Sequence, residues 1–395
     1  MKNILVINSG SSSLKFQLIQ MPAEEVLASG LVERIGQETG KFKYESGAYS
    51  VDQEKEVPDH STALRSITDI LMDPTNGVIR DTSEIFAIGH RVVHGGDKFS
   101  ETIVIDSRVK ATIKDLSSLA PLHNPPNLKG IEVAEEVFPK ASQVAVFDTA
   151  FHRSIPSVAN RYAIPNSFFE EEKIQVYGFH GTSHKYVTEK AISHLELKES
   201  RIVSIHLGNG CSITAVKNGK SIDHSLGFGP VNGLIMGTRS GDIDQSVIFY
   251  LIDQLGYTAG EVSDLLHHKS GMLGLTGFSD LRDIEAEAEK GNAACKLALE
   301  MNAYRIKKYI GAYASVMNGL DAIVFTAGIG ENSDVIRSLV CKEMDFLGIT
   351  INEKDNRIRS KHIRDISNDN SRVKVLIIPT NEELEIAKQT YSLLN

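Results

Sequence analysis

The 395-residue chain has only three cysteines, Cys211, Cys295 and Cys341, widely spread and in no CxxC pattern. That spacing excludes a disulfide framework and a cysteine-ligated metal, and it fits a reducing compartment. A Lys/Arg-rich block is also missing and the formal net charge is −9, so the chain offers no basic face to nucleic acid or to an anionic membrane. Long apolar runs are absent. The Ile4 to Ile7 stretch is too short for a signal peptide, and Asn318 and Asp321 interrupt the hydrophobic stretch over residues 309–330. No membrane span and a soluble, cytoplasmic protein are expected. The familiar nucleotide motifs fail as well. Walker A needs a glycine where Thr214 precedes Gly219-Lys220-Ser221, and the Rossmann pattern at Gly328-Ile329-Gly330 ends on Ser333.

What is present is an ordinary globular balance, 41% hydrophobic and 24% charged, over a length that suggests two domains. Short β-branched runs ending in glycine-rich or polar turns predict strands at residues 3–8, 14–20, 86–93, 144–148, 202–207, 212–217, 321–326 and 373–379. A long helix is expected over residues 293–317, with Leu297, Met301, Tyr304, Ile306, Ile310, Tyr313 and Met317 at roughly helical spacing. A second helix should start after Thr380-Asn381, with Glu382 and Glu383 in its first turn. Strands mixed with long helices indicate an α/β protein.

Residues 5–18, LVINSGSSSLKFQL, resemble residues 204–217, SIHLGNGCSITAVK: each reads as strand, glycine-containing turn and strand, with Gly10 matched to Gly210 and Ser12 to Ser212. One such match is compatible with chance or with an internal duplication. A duplication implies two related domains, divided near residues 148–156.

The turn Asn8-Ser9-Gly10-Ser11-Ser12-Ser13, followed by Lys15, has the amides, hydroxyls and cation that a phosphate needs; it is equally readable as a polar hairpin. The turns His206-Leu207-Gly208-Asn209-Gly210 and Thr326-Ala327-Gly328-Ile329-Gly330-Glu331-Asn332 repeat the chemistry. Charged or imidazole groups also end strands or sit in glycine loops: Arg91 before His94-Gly95-Gly96, Asp148 after Phe147, His180 and His184 around Gly181, and Arg239 between Gly237 and Gly241. Each alone reads more readily as a structural salt bridge or loop contact than as a catalytic group. The pairs His90/His94 and His180/His184 lack the third ligand a metal requires. Together, Lys15, Arg91, Asp148, His180 and Arg239 make a set suited to phosphoryl transfer, in which cations surround the equatorial oxygens.

NSGSSSLKF (8–16), GHRVVHGG (89–96), HNPPN (123–127), FDTAFH (147–152), YGFHGTSH (177–184), HLGNGCS (206–212), MGTRSGDID (236–244), TAGIGEN (326–332) and IPTNEE (378–383) resemble the acetate kinase family, in its order and over nearly the whole chain. The resemblance implies two duplicated actin/Hsp70/hexokinase-like (ribonuclease H-like) domains with a nucleotide cleft between them. The first would span residues 1–150, joined by the C-terminal helix 382–395, and the second residues 151–381. It implies a homodimer that transfers the γ-phosphoryl group of ATP to acetate reversibly, giving acetyl phosphate and ADP, with Mg²⁺ (or Mn²⁺ in its place). By motif, Asn8 and Glu382 would lie near Mg²⁺ and Lys15 near the moving phosphate. Arg91 and Arg239 would hold the acetate carboxylate and phosphoryl oxygens, His180 would bond those oxygens, and Asp148 would be the essential carboxylate. His206, Leu207, Gly208, Asn209 and Gly210, then Asp280, Leu281 and Arg282, then Gly328, Ile329, Gly330, Glu331 and Asn332 would match ATP-binding stretches. Val93, Leu122, Phe179 and Pro230 would cover the acetate methyl. A propionate or butyrate kinase is the alternative within enzymes. A nucleotide-gated binding or polymerising protein of the same fold is the alternative outside them, and it leaves the anion-handling Arg91, His180 and Arg239 without a purpose.

Acetate is already an anion at neutral pH, since carboxyl pKa values lie near 4, so direct in-line transfer needs relief of anion–anion repulsion rather than a base. On this reading Asp148 positions and does not deprotonate. One methylene in a pocket is worth about 1–3 kcal/mol, so propionate should be a poorer but real substrate. Val93→Ala should raise kcat/KM for propionate relative to acetate, and an unchanged ratio would remove Val93 from the acyl pocket.

Overall fold

The computed structural model describes all 395 residues, which separate into two compact units: Met1–Phe151 with Asn381–Asn395, and His152–Thr380. In the first unit, β1 (Lys2–Ser9), β2 (Ser13–Met21), β3 (Glu25–Glu33), β4 (Gly40–Ser46), β5 (Tyr49–Lys55), β6 (Ile85–Val92), β7 (Ile103–Val104) and β8 (Ser142–Phe147) form one sheet in the order β5-β4-β3-β2-β1-β6-β8-β7. β1 pairs antiparallel with β2 and parallel with β6, and β6 pairs parallel with β8. The central strand is covered on both faces, so Ile4, Leu5, Val6 and Ile7 are all buried. β4 shows the other pattern: Phe42 and Tyr44 point into the core between Lys41, Lys43 and Glu45.

The second unit contains β9 (Arg201–Leu207), β10 (Cys211–Lys217), β11 (Lys220–His224), β12 (Ala322–Thr326), β13 (Arg364–Asp365) and β14 (Lys374–Ile377), ordered β11-β10-β9-β12-β14-β13. Here too a meander of three antiparallel strands continues into two parallel partners, β12 beside β9 and β14 beside β12. The order β3-β2-β1-β6-β8 of the first sheet is thus repeated as β11-β10-β9-β12-β14, and the mixed α/β class read from the sequence holds. The repeat is one of topology and does not follow the residue matching drawn from sequence. Ser12 lies in the turn between β1 and β2, whereas Ser212 is a buried residue of β10 opposite His206.

Two further expectations change. The residues of the 326–332 segment do not form an open glycine turn, because Ala327–Asn332 coils into a short helix directly after β12. The helix Ala293–Met317 has the expected bounds, but its apolar residues belong to two faces. Ile306, Ile310, Tyr313 and Met317 are buried on one, while Leu297, Met301 and Tyr304 are 57%, 37% and 68% exposed on another. No helix is long and apolar enough to cross a membrane.

The C-terminal helix Glu382–Leu393 packs on β1, β2 and β6 of the first unit. It comes so near β6 that a Cβ on Gly89 would stand 2.6 Å from Thr390 Oγ1 and 2.7 Å from Ile386 Cγ2. Glycine is what allows this approach.

Both units bury histidines. His90 is 2.7 Å from the Gln143 side-chain oxygen, and burial pushes its pKa down to about 4. Burial does the same to His94, whose Nδ1 accepts the Gly96 N–H at 3.0 Å. His184 and His224 are pushed well below the ordinary value by burial and then by neighbouring histidines. Their folded pKa values lie below the unfolded value near 6.5, so the unfolded chain binds more protons between the two. The stability they contribute is complete above about pH 6.5 and is lost as pH falls through the folded values, about 4 for His90 and His94. At about pH 5 the cost is about 2 kcal/mol for each of His90 and His94. Urea midpoints should fall steeply between about pH 7 and pH 5, and less so in His90→Gln. A midpoint insensitive to acid would contradict the assignment.

Candidate active-site residues

Parallel strands leave their carboxyl ends uncovered, and side chains collect there. In the first unit Asn8 is near the end of β1, Arg91 near the end of β6, and Asp148 directly follows β8. The Arg91 guanidinium pairs through Nη2 with Asp148 Oδ2, donates from Nη1 to Asn8 Oδ1 at 3.4 Å, and lies with Nε 3.7 Å from Glu382 Oε2. Asp148 is only 1% exposed, and its backbone N–H is tied to the Val92 carbonyl at 3.0 Å. Burial works against the Arg91 charge, but Asp148 and then Glu382 outweigh it and hold the pKa above its ordinary value.

Glu382 and Glu383 enter this group from the first turn of the C-terminal helix, which Asn381 caps by accepting the Leu384 N–H at 3.0 Å. Lys15, on β2, lies 2.6 Å from Glu383 Oε1. Five charged side chains therefore meet at this edge, three of them carboxylates. Burial raises the Glu382 pKa, the Asp148 and Glu383 charges raise it further, and Arg91 and Lys15 only partly offset them.

The HNPPN segment (123–127) has a positioning role that its residues alone do not disclose. The helix Asn124–Val137 turns Asn124 and Asn127 inward, both buried. Asn127 accepts the Val93 N–H at 3.1 Å and donates to the Ser9 carbonyl at 2.7 Å. Asn124 accepts from the His94 N–H and donates to its carbonyl. Two amides thus fix the backbone that follows Arg91. Asparagines next to Pro125-Pro126, which start the helix, were the available signal. Of the proposed acyl-pocket residues in this unit, Val93 is buried, but Leu122 is 67% exposed on the turn before this helix and closes no apolar lining here.

In the second unit the hairpin between β9 and β10 consists of Gly208, Asn209 and Gly210, with the Asn209 carbonyl accepting the Gly237 N–H at 3.0 Å. A Cβ on Gly237 would fall 2.1 Å from Asn209 Oδ1, so a larger residue there would have to displace the Asn209 side chain. The Gly237 loop carries Arg239, whose Nη1 donates to the Pro230 carbonyl at 2.9 Å and whose pKa burial lowers. His180 has φ = 56° at the start of the helix Gly181–His194, a left-handed conformation that is costly for a non-glycine residue. Its Nδ1 is 2.9 Å from Ser212 Oγ and its ring stacks on His206 at 4.4 Å. A Cβ at Gly210 would be 3.5 Å from His180 Nε2 and 3.9 Å from Arg239 Nη1, which puts the two groups beside one turn. Phe179 is buried between two of the histidines: its N–H donates to His224 Nε2 at 3.1 Å and its carbonyl is 2.9 Å from His152 Nε2.

Next to that turn is a cavity of about 630 Å³. Gly208, Asn209, Asp280, Leu281, Arg282, Gly328, Ile329 and Asn332 line it, with Ser279, Glu285, Ser333 and Arg359, which no motif pointed to. Asp280 caps the helix Leu281–Glu289 and is held down at about 2, chiefly by the Arg282 side chain. Other residues of the expected ATP stretches face elsewhere. Leu207 and Gly330 are buried. Gly330 gives its carbonyl to Arg337 at 2.8 Å, and Glu331 accepts the Thr380 N–H at 3.1 Å. His206 is bound through Nδ1 to Ser183 Oγ at 2.8 Å. No three His, Cys, Asp or Glu side chains gather as a metal cage.

The Acetokinase family profile matches residues 3–388. The chain is 61% identical to the acetate kinase of Flavobacterium johnsoniae, over 99% of each chain, and 52% identical to that of Thermotoga maritima, over 98% of this chain and 97% of that one. Among solved structures it is similar to Porphyromonas gingivalis acetate kinase, with a TM-score of 0.95 and 45% identity over all of both chains. It is also similar to a propionate kinase of Francisella tularensis, with a TM-score of 0.92 and 41% identity over 98% of this chain and 99% of that one. A match that runs almost from end to end, over strand-end groups arranged as above, means that this chain belongs to the Acetokinase family.

Proposed function

We propose that the protein is an acetate kinase, transferring the γ-phosphoryl group of ATP to acetate, reversibly and in line, to give acetyl phosphate and ADP. The observation that carries the reading is the pairing of the partly exposed Arg91 with the buried Asp148 at the carboxyl ends of β6 and β8. Phosphoryl transfer between two anions asks for positioned positive charge more than for acid–base work. Arg91 supplies a charge that it cannot lose, and Asp148, buried and bound to Nη2, fixes where the guanidinium points. Acetate arrives ionised, so Asp148 has no proton to remove. His180 and Arg239, beside Gly210, offer donors to phosphoryl oxygens, and Lys15 adds a charge near the moving group. The cavity next to Gly208 and Asn209 has the size and the polar lining for ATP or ADP.

The surplus of carboxylates around Glu382 fits a divalent cation, with Asn8 Oδ1 as a neutral oxygen donor. Mg²⁺ commonly binds through one or two carboxylates plus phosphate oxygens and waters, so Asn8 and Glu382 suit it without a cage; Mn²⁺ takes the same donors. When bound, the ion neutralises phosphate charge. The acceptor is acetate in preference to propionate, because the buried Val93 leaves little space for a further methylene. Three free, buried cysteines fit the cytoplasm.

We also propose a homodimer. Leu297, Met301 and Tyr304 make an exposed apolar stripe on Ala293–Met317, and the helix Gln245–Asp253 buries none of its residues while exposing Phe249 and Tyr250. Such apolar surface marks an interaction site.

Incubation with MgATP and acetate, followed by hydroxylamine, should trap acetyl hydroxamate, and the yield should collapse in Arg91→Ala and on chelation of the metal. No hydroxamate from the unmutated protein would sink the reading. Tyr304→Glu with Phe249→Glu should halve the mass found by sedimentation; a mass equal to that of one chain before mutation rules out the dimer.

A further inference from the structure

The second unit holds a chain of buried hydrogen bonds that ends at His180. Ser204 Oγ is 2.8 Å from His184 Nδ1, His184 Nε2 is 2.7 Å from Ser212 Oγ, and Ser212 Oγ is 2.9 Å from His180 Nδ1. Ser204, His184 and Ser212 are each 0% exposed. A serine hydroxyl carries one proton, so Ser212 cannot donate to both rings; when it donates to one it must accept from the other. The protonation sites of the two histidines are therefore tied together.

We propose that Ser212 and His184 are positioning residues that hold neutral His180 with its hydrogen on Nε2, the atom offered to a phosphoryl oxygen. The proposal rests on the role given to His180 above. Phosphoryl oxygens only accept, so the ring nitrogen facing them must carry hydrogen. Every proton in the chain then has a place. Ser204 donates to His184 Nδ1, His184 Nε2–H donates to Ser212, Ser212 O–H donates to His180 Nδ1, and His180 keeps its own hydrogen on Nε2. The reverse order puts the hydrogen of neutral His180 on Nδ1 and a lone pair on Nε2, which repels the substrate. A doubly protonated His180 would need Ser212 to accept from it. It would also add a cation beside Arg239, close to the same point at Gly210 and against the stacked His206 ring. Burial and the surrounding histidines keep His184 neutral, which leaves it one hydrogen to place.

The test is the tautomer of His180 in the full-length protein, read from long-range proton–nitrogen correlations of ¹⁵N-histidine-labelled enzyme at neutral pH and assigned with His180→Ala. The unmutated protein should show hydrogen on Nε2 alone. Ser212→Ala should give a mixed pattern and a kcat lower by about tenfold or more, with KM values for acetate and ATP little changed; Ser212→Thr, which restores the hydroxyl, should recover both. Hydrogen on Nδ1 alone, or on both nitrogens, in the unmutated enzyme overturns the proposal even if Ser212→Ala fails to fold. A Ser212→Ala enzyme with unchanged kcat and tautomer overturns it too. If His180→Ala itself keeps full kcat, the role of His180 falls and the proposal with it, a failure distinct from a wrong tautomer in an enzyme that needs His180.

Discussion

A permanently charged guanidinium partly withdrawn from water among carboxylates is the constraint around which the first unit is arranged. Arg91 does not shed its proton when it is partly desolvated, so the fold sets negative charge around it, and Asp148, Glu382 and Glu383 come from two separate places in the chain to do so. The C-terminal helix is needed for this, since it carries two of the three acids. Its close seat on β6 depends in turn on the missing side chain at Gly89. Burial raises the Glu382 pKa, and the charges of Asp148 and Glu383 add to it.

The second unit solves burial of polar groups differently. Its interior histidines are satisfied by hydroxyls: Thr214 for His224, Ser221 for His152, Ser183 for His206, and Ser204 with Ser212 for His184, and burial favours the neutral form of His184 and His224. Hydroxyls can either donate or accept, which allows a crowded set of rings to be satisfied without charge. One unit thus presents fixed ionic groups and the other directed hydrogen-bond donors.

Much of this was legible in the chain. The β-branched runs marked the buried parallel strands, and the caps and first-turn acids marked the last helix. Other parts were missed for physical reasons. β5 is rich in Lys, Glu, Asp and Ser because it lies at the sheet edge, where charge discourages further pairing, and β4 beside it buries one face only; the Lys-Phe-Lys-Tyr alternation at 41–44 was the signal for β4. On Ala293–Met317 helical spacing was real, but two apolar stripes were read as one, since spacing alone does not say which stripe a neighbour covers. The hairpin alignment slipped because small hydroxyl residues are common in turns and in β10 alike.

The order of residues by itself determined which segments are strands and helices and which side chains can carry charge, donate or accept, for these follow from local periodicity and functional groups. Only the three-dimensional fold decided that Arg91, Asp148 and Glu382 share one cluster, that Gly210 sits between His180 and Arg239, and that Ser212 stands between two imidazoles. Such encounters join residues tens to hundreds of positions apart. They depend on strand register and on backbone approach at a few glycines, quantities that no local pattern encodes.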